Sequence, residues 1–179
     1  MSVLSLIVMV IEALVMLFQL RALMQSSSVD FYHPVTQVVF KLTQPVIRLI
    51  PIKNANIKGF YYCGMIVSFV IALICVSILV VTILQFDIRL VLLFTTIITV
   101  KTFGYLIIIL LLAQALTSWL PSTRQWSIFF SQITYPIVAP VQKIIPPIGM
   151  IDISLMIVML GLFALDSLFA RLIPIWRLF

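Results

Sequence analysis

The sequence predicts an all-α membrane protein, with about four transmembrane helices in two parallel repeats. Three observations predict it. The 179-residue chain is 64% hydrophobic and 9% charged, with a mean hydropathy of +1.30, whereas soluble chains carry about 25% charged residues. Its apolar runs reach the roughly 20 residues that a bilayer core requires. Two similar polar interruptions, "KLTQPVIRLIP" (Lys41–Pro51) and "QITYPIVAPVQKIIPP" (Gln132–Pro147), each lead from a Thr-x-Pro to an Ile-Pro between long apolar segments.

The elements follow in order. Val3 to Met24 is the first span. It has no positive start and no small-residue cleavage site, so it reads as a retained span and not as a signal peptide. There is no Arg- and Ser-rich transit peptide either, which points to a bacterial inner (plasma) membrane. A polar patch, "QSSSVDFYHP", leads to an interfacial segment from Pro34 to Pro51. The basic link "IKNANIKG" precedes a second span, Phe60 to Leu84.

From Ile88 to Leu120 the chain is apolar for 33 residues, about 50 Å as one helix against a hydrocarbon core of about 30 Å. "VKTFGY" (Val100–Tyr105) is the natural break. Ile88 to Val100 is therefore expected to be interfacial, re-entrant or a tilted extension, with the third span at Thr102 to Leu120. "PSTRQWS" opens a second interfacial segment that ends at Pro147. The fourth span runs from Ile153 to about Ile173, and "PIWRLF" supplies Trp and Arg anchors for a membrane surface.

Span, short segment, span thus occurs twice. "RALMQS" (Arg21–Ser26) aligns with "QALTSW" (Gln114–Trp119) at an offset of 93, and Thr43 and Pro45 align with Thr134 and Pro136 at 91. Pro51 aligns with Pro146 at 95, a difference of about one helical turn, which keeps the same face pointing the same way. Two spans per unit make the repeat parallel. The expected units are 1–85, a connecting interfacial or re-entrant segment at 86–101, and 102–179.

In the first short segment Gln37, Lys41, Gln44 and Arg48 recur at helical spacing on one face, with Val38, Val39, Leu42, Val46 and Leu49 opposite. This is the pattern of a helix lying in the membrane interface. The second segment is less regular, with Phe129, Ile133, Pro136, Val141 and Ile144 as its apolar side. Pro136 and Pro140 each remove a backbone donor and clash one turn back, so a re-entrant hairpin competes with a surface helix. Arg21, Lys41, Arg48, Lys53, Lys58, Arg124 and Lys143 fall on the side of these segments. Arg89, Lys101, Arg171 and Arg177 fall on the other, which predicts cytoplasmic short segments and both termini outside.

These residues resemble the YggT family of bacterial membrane proteins over nearly the whole chain. The matching pieces are the Arg-Ala-Leu at Arg21, the TQP at Thr43 to Pro45, the Pro-x-x-x-Ile-Ile-Pro-Pro-x-Gly running from Pro140 through Pro146 to Gly149, and Ile-Asp-x-Ser around Asp152. Thr134 and Pro136 repeat Thr43 and Pro45, and "KTFG" at Lys101 resembles the family's two-repeat form. The first copy lacks the extra proline turn, has Lys58 at the position of Asp152, and has Arg21 where the second has Gln114. The resemblance implies an integral membrane protein without assigned enzyme chemistry. It also implies loose links to osmotic stress tolerance, cell-division gene neighbourhoods and, in plastids, cytochrome assembly and nucleoid organisation.

Catalytic constellations are not apparent. His33 is the only histidine and has no ligand cluster at metal spacing, and Asp30 beside it suits a turn. No phosphate loop or nucleophile elbow is present, and no cofactor is expected. Cys63 and Cys75 lie about 18 Å apart along one helix and cannot pair within it. Glu12 and Asp166 lie inside apolar spans, where an ionisable group costs roughly 2.5–3.5 kcal/mol. Lys101 is the expected partner of Glu12, and Arg171 an approximate partner of Asp166. They form a packing ion pair, or Glu12 is protonated, or they are part of a proton or ion path. Arg21 is expected to snorkel to the interface, and Lys41, Arg48 and Lys143 to meet anionic headgroups or a partner protein. The expected function is a non-enzymatic membrane scaffold or assembly factor. It would have a membrane-protein partner, a homo-oligomer within reach, and no nucleic acid. The alternative is an oligomeric small channel or transporter component.

Overall fold

The computed structural model describes residues 3–27, 29–49, 56–57, 59–83, 87–145 and 152–178. Pro51, Lys53, Lys58, Pro146 and Gly149 of the sequence reading lie outside the described residues. Helix α1 (Val3–Ser26) is followed by the short α2 (Pro34–Arg48), a minimal hairpin of β1 (Asn56–Ile57) and β2 (Phe60–Tyr61), and α3 (Cys63–Ile83). Then come α4 (Ile88–Trp119), a 3-10 turn, α5 (Arg124–Gln142), α6 (Ile153–Leu172) and a terminal 3-10 turn (Pro174–Leu178). The helices α1, α3, α4 and α6 are long and apolar enough to cross a membrane. The protein is an all-α membrane protein; β1 and β2 pair through two residues each, and Gly59 makes their turn at φ +87°.

Local sequence sets the helix ends. Pro34 opens α2, a position where its missing N–H costs nothing. Asp87 and Asp152 cap α4 and α6, accepting from the backbone N–H of Arg89 (2.8 Å) and Ser154 (3.0 Å). Leu120 and Ile173, the residues before Pro121 and Pro174, are extended where α4 and α6 stop.

The expected break at Val100–Tyr105 is absent. Helix α4 runs unbroken for 32 residues, so of the three alternatives for Ile88–Val100 the helix fits an extension of the third span. Glycine costs a helix only about 1 kcal/mol relative to alanine. Thr99 and Thr102 turn their hydroxyls back onto the carbonyls of Thr95 and Ile98, both at 2.8 Å, so they ask for no outside partner. Nor do Pro136 and Pro140 break α5, which is one helix from Arg124 to Gln142.

Packing centres on α4. Val76 and Val80 of α3 meet its first half at Val91 and Ile98. Leu23 and Met24 of α1, Val39 of α2 and Phe129 and Ile133 of α5 gather around Leu106 and Leu110. Leu155 of α6 and Val138 of α5 cover Ile107 and Leu111. Gln19 of α1 donates to the carbonyl of Thr99 at 2.8 Å, while Leu23 and Met24 join Leu106 and Leu110, so α1 and α4 run in the same direction. Helix α3 packs tightly on α1 at Gly64, where a Cβ would stand 2.7 Å from the Phe18 carbonyl and 2.9 Å from the Ala22 Cβ.

Candidate functional site

Two polar centres stand out, one joining the short helices to the spans and one within the spans. The first begins with Arg21. Expected to snorkel to the surface, it is instead only 5% exposed. The reason is the adjacent α2, which covers it and provides neutral acceptors. The guanidinium donates from Nη1 to the Thr43 hydroxyl at 2.6 Å and to the Phe40 carbonyl at 3.3 Å, and from Nη2 to Gln44 Oε1 at 3.0 Å. It also lies 4.4 Å over the Phe40 ring. The Thr43 hydroxyl in turn donates a hydrogen bond to the Val39 carbonyl at 2.6 Å. Buried charge needs this many partners to be tolerable, and Arg21 Nε has none.

The residues of α2 that the protein itself buries are Thr36, Val39, Thr43 and Ile47. Val38, Leu42, Val46 and Leu49 of the apolar face are exposed, as are Lys41, Pro45 and Arg48.

Gln114 and Thr134 occupy the corresponding place between α4 and α5. The Thr134 hydroxyl meets Gln114 Oε1 at 2.5 Å, and both residues are buried. Here the long-helix partner is neutral, and an open cleft of about 490 Å³ lies beside it, lined among others by Ser26, Gln114, Ser131, Thr134, Tyr135 and Gln142. Pro136 on the cleft wall has no N–H, which leaves the Gln132 carbonyl without its helical donor. At the far end Gln142 donates to Asp152 Oδ2 at 2.7 Å, and Ser154 donates to the Ile145 carbonyl at 2.7 Å. Asp152 thus caps α6 and ties it to α5. Lys143, the last of the expected surface residues, is exposed at the end of α5.

The second centre lies within the spans. Lys101 is 7% exposed and donates to the Trp176 carbonyl at 2.9 Å. Trp176 in turn donates from its indole N–H to Asp166 at 2.8 Å. The Lys101 ammonium also lies 5.6 Å from the centre of the Tyr105 ring. The expected Arg171 is exposed; Asp166 takes the folded-back tail as its partner. A cleft of about 220 Å³ opens here between α4 and α6, lined by Lys101, Tyr105, Asp166 and Trp176 among mostly apolar side chains.

His33 stacks on Phe129 at 3.8 Å and meets Trp126 edge-on at 5.0 Å, joining α2 to α5. Among the described residues no group of three or more His, Cys, Asp or Glu could hold a metal ion.

Comparison with known proteins places this arrangement. The chain is 33% identical to a protein of Vibrio alginolyticus described as "Uncharacterized protein in proC 3'region", covering 90% of each chain. It is also 33% identical to YggT of Escherichia coli, over 88% of this chain and 83% of that one. The chain belongs to the YggT family. A Haemophilus influenzae member is 31% identical over 88% of this chain and 84% of its own. The family model CCB3/YggT matches residues 90–173, which takes in α5, α6 and nearly all of α4, and with them Gln114, Thr134 and Asp152. No solved structure matches.

Gln19, Gln114, Gln142 and Trp176 were missed as site residues by sequence reasoning. A glutamine inside an apolar span is a usable signal, because an amide there must find partners. Trp176 gave none beyond that of an interfacial anchor.

Proposed function

We propose that this YggT family protein is a non-enzymatic scaffold or assembly factor of a bacterial inner membrane. The observation that carries this reading is the clamping of α2. Arg21 holds Thr43 and Gln44, and Thr36, Val39, Thr43 and Ile47 are buried, so the helix is fixed while Lys41 and Arg48 remain exposed two turns apart on one face. Next to that face, Leu42, Val46 and Leu49 are exposed and apolar. Such a surface suits acidic partner segments and anionic headgroups at the membrane boundary. The two long-short-long units, each with its Thr-x-Pro helix tied to the preceding span, support an internal repeat. The processes that the family resemblance suggests, osmotic stress tolerance, cell division and cytochrome assembly, are where the partner is to be sought.

In-cell photo-crosslinking from positions 41, 48 and 143, followed by mass spectrometry, tests the proposal. A single dominant membrane-protein partner is expected from positions 41 and 48. Lipid adducts alone, or self-crosslinks alone, would overturn the scaffold reading and direct attention to ion flux through an oligomer.

A further inference from the structure

The cleft of about 490 Å³ is lined from the end of α1, from α4 and from α5, and its size falls in the range of small-molecule sites. Apart from Pro136 and Val138, every described residue on its walls bears a hydroxyl or an amide, and none bears a charge. In the first unit the matching position on the long helix holds Arg21, whose guanidinium is spent on Phe40, Thr43 and Gln44 of α2. Here the shorter, uncharged Gln114 faces Thr134, and the space beside it stays open.

Hydrogen-bonding capacity on these walls is not used up. Gln114 is only 9% exposed. Its Oε1 meets Thr134, and among the described residues nothing accepts from its amide N–H groups. A primary amide has its acceptor and its donors on opposite arms, so the arm turned away from Thr134 is left for the cleft. Gln142 spends its N–H on Asp152 and keeps its Oε1. Asp152 itself is engaged twice, by Gln142 and by the Ser154 N–H. Pro136 and Pro140 deprive the carbonyls of Gln132 and Pro136 of their helical donors, and both of those residues are on the cleft wall. Val138, Pro136 and the exposed ring of Tyr135 add apolar surface.

We propose that this cleft binds an uncharged sugar, as a free solute or as the headgroup of an uncharged glycolipid. An ion would enter without a counter-charge on the walls, which is costly. A hydroxyl both donates and accepts, which matches amides that offer both. The C–H face of a sugar ring suits the apolar surface of Tyr135, Pro136 and Val138. No described wall residue comes from α2, so sugar binding here and crosslinking at Lys41 and Arg48 can each fail alone.

The test uses the full chain in phosphatidylcholine nanodiscs. Saturation-transfer NMR reads the binding of three free probes, the methyl glycosides of glucose, galactose and mannose. Native mass spectrometry reads whether glucosyl diacylglycerol added to the disc is retained over diacylglycerol. Binding of a free glycoside assigns the site to a solute, and retention of the glycolipid alone assigns it to a headgroup. Glucose 6-phosphate should bind about tenfold more weakly than the best neutral probe, and Gln114→Leu should weaken that probe by about tenfold, the worth of one buried hydrogen bond. Gln132→Leu and Tyr135→Ala, at half-buried and exposed positions outside the Gln114–Thr134 contact, should also weaken it and carry the test if Gln114→Leu fails to fold. The proposal is overturned if none of the three glycosides binds and the glycolipid is not retained. It is equally overturned if the phosphorylated sugar binds as well as the neutral one, or if the folded variants bind like the wild type.

Discussion

Arg21 on α1 donates to the hydroxyl of Thr43 on α2 at 2.6 Å, across 22 residues of chain, with both groups buried. Replacing Thr43 with valine keeps the shape and removes the acceptor. A hydrogen bond to a charged group contributes roughly 1.5–3 kcal/mol, so Thr43→Val should lower stability by about that much. Denaturant titration in detergent micelles measures it, and a loss below about 0.5 kcal/mol would show that the clamp adds little.

The equivalent pair in the second unit should be weaker. Gln114 is neutral, and the Thr134 hydroxyl has a second acceptor in the Phe130 carbonyl at 3.0 Å. Gln114→Leu is expected to cost about 0.5–1.5 kcal/mol, the usual size for a neutral hydrogen bond. Measured alongside Thr43→Val under the same conditions, it should be the milder change. The reverse order would contradict the assignment of the charge as the stronger anchor.

Gly64 is a point of tight contact between α1 and α3. A methyl there would stand 2.7 Å from the Phe18 carbonyl oxygen, a backbone atom that cannot move aside alone. Gly64→Ala should destabilise by about 1–3 kcal/mol through overpacking. Gly104→Ala and Gly161→Ala meet nothing within 4 Å and should be neutral or stabilising by up to about 1 kcal/mol. Thermal unfolding of the three variants separates a packing effect from a general intolerance of alanine.

The tail is held by Asp166. Asp166→Leu removes the acceptor of the Trp176 indole, and the terminal 3-10 turn should lose its seat against α4 and α6. With Trp119 and Trp126 replaced by phenylalanine, Trp176 fluorescence should become quenchable by acrylamide in the variant and stay protected in the parent. Equal protection in both would mean that packing on Phe169, at 4.9 Å between ring centroids, holds the tail without the hydrogen bond.

The spans were legible because composition alone carries them. Twenty apolar residues without charge have few homes other than a bilayer, and the boundaries fall at Asp87, Pro121, Asp152 and Pro174, residues that cap or stop helices. The fate of Arg21 was not. A basic residue near a span end ordinarily reaches for the headgroups, and only the tertiary position of α2 reveals that three acceptors have been brought to it. Which residues of α2 pack on the protein was not legible for a related reason. Hydrophobicity cannot rank Thr36 and Thr43 above Val38 and Leu42 when the surroundings on the other side are lipid, because lipid welcomes apolar groups as readily as protein does. The break assigned at Val100–Tyr105 rested on the length of the apolar run and on Lys101, Thr102 and Gly104, whereas the hydroxyls of Thr99 and Thr102 are satisfied within α4 itself.

The neutral second clamp also has a mechanical meaning. Helix α2 is fastened by an ion with several bonds, while α5 carries two internal prolines and is fastened at Thr134 by an uncharged amide. Local opening follows the weakest local attachments. Of the two clamps, the neutral one opens at less cost, because its loss leaves an amide and not a buried ion without partners.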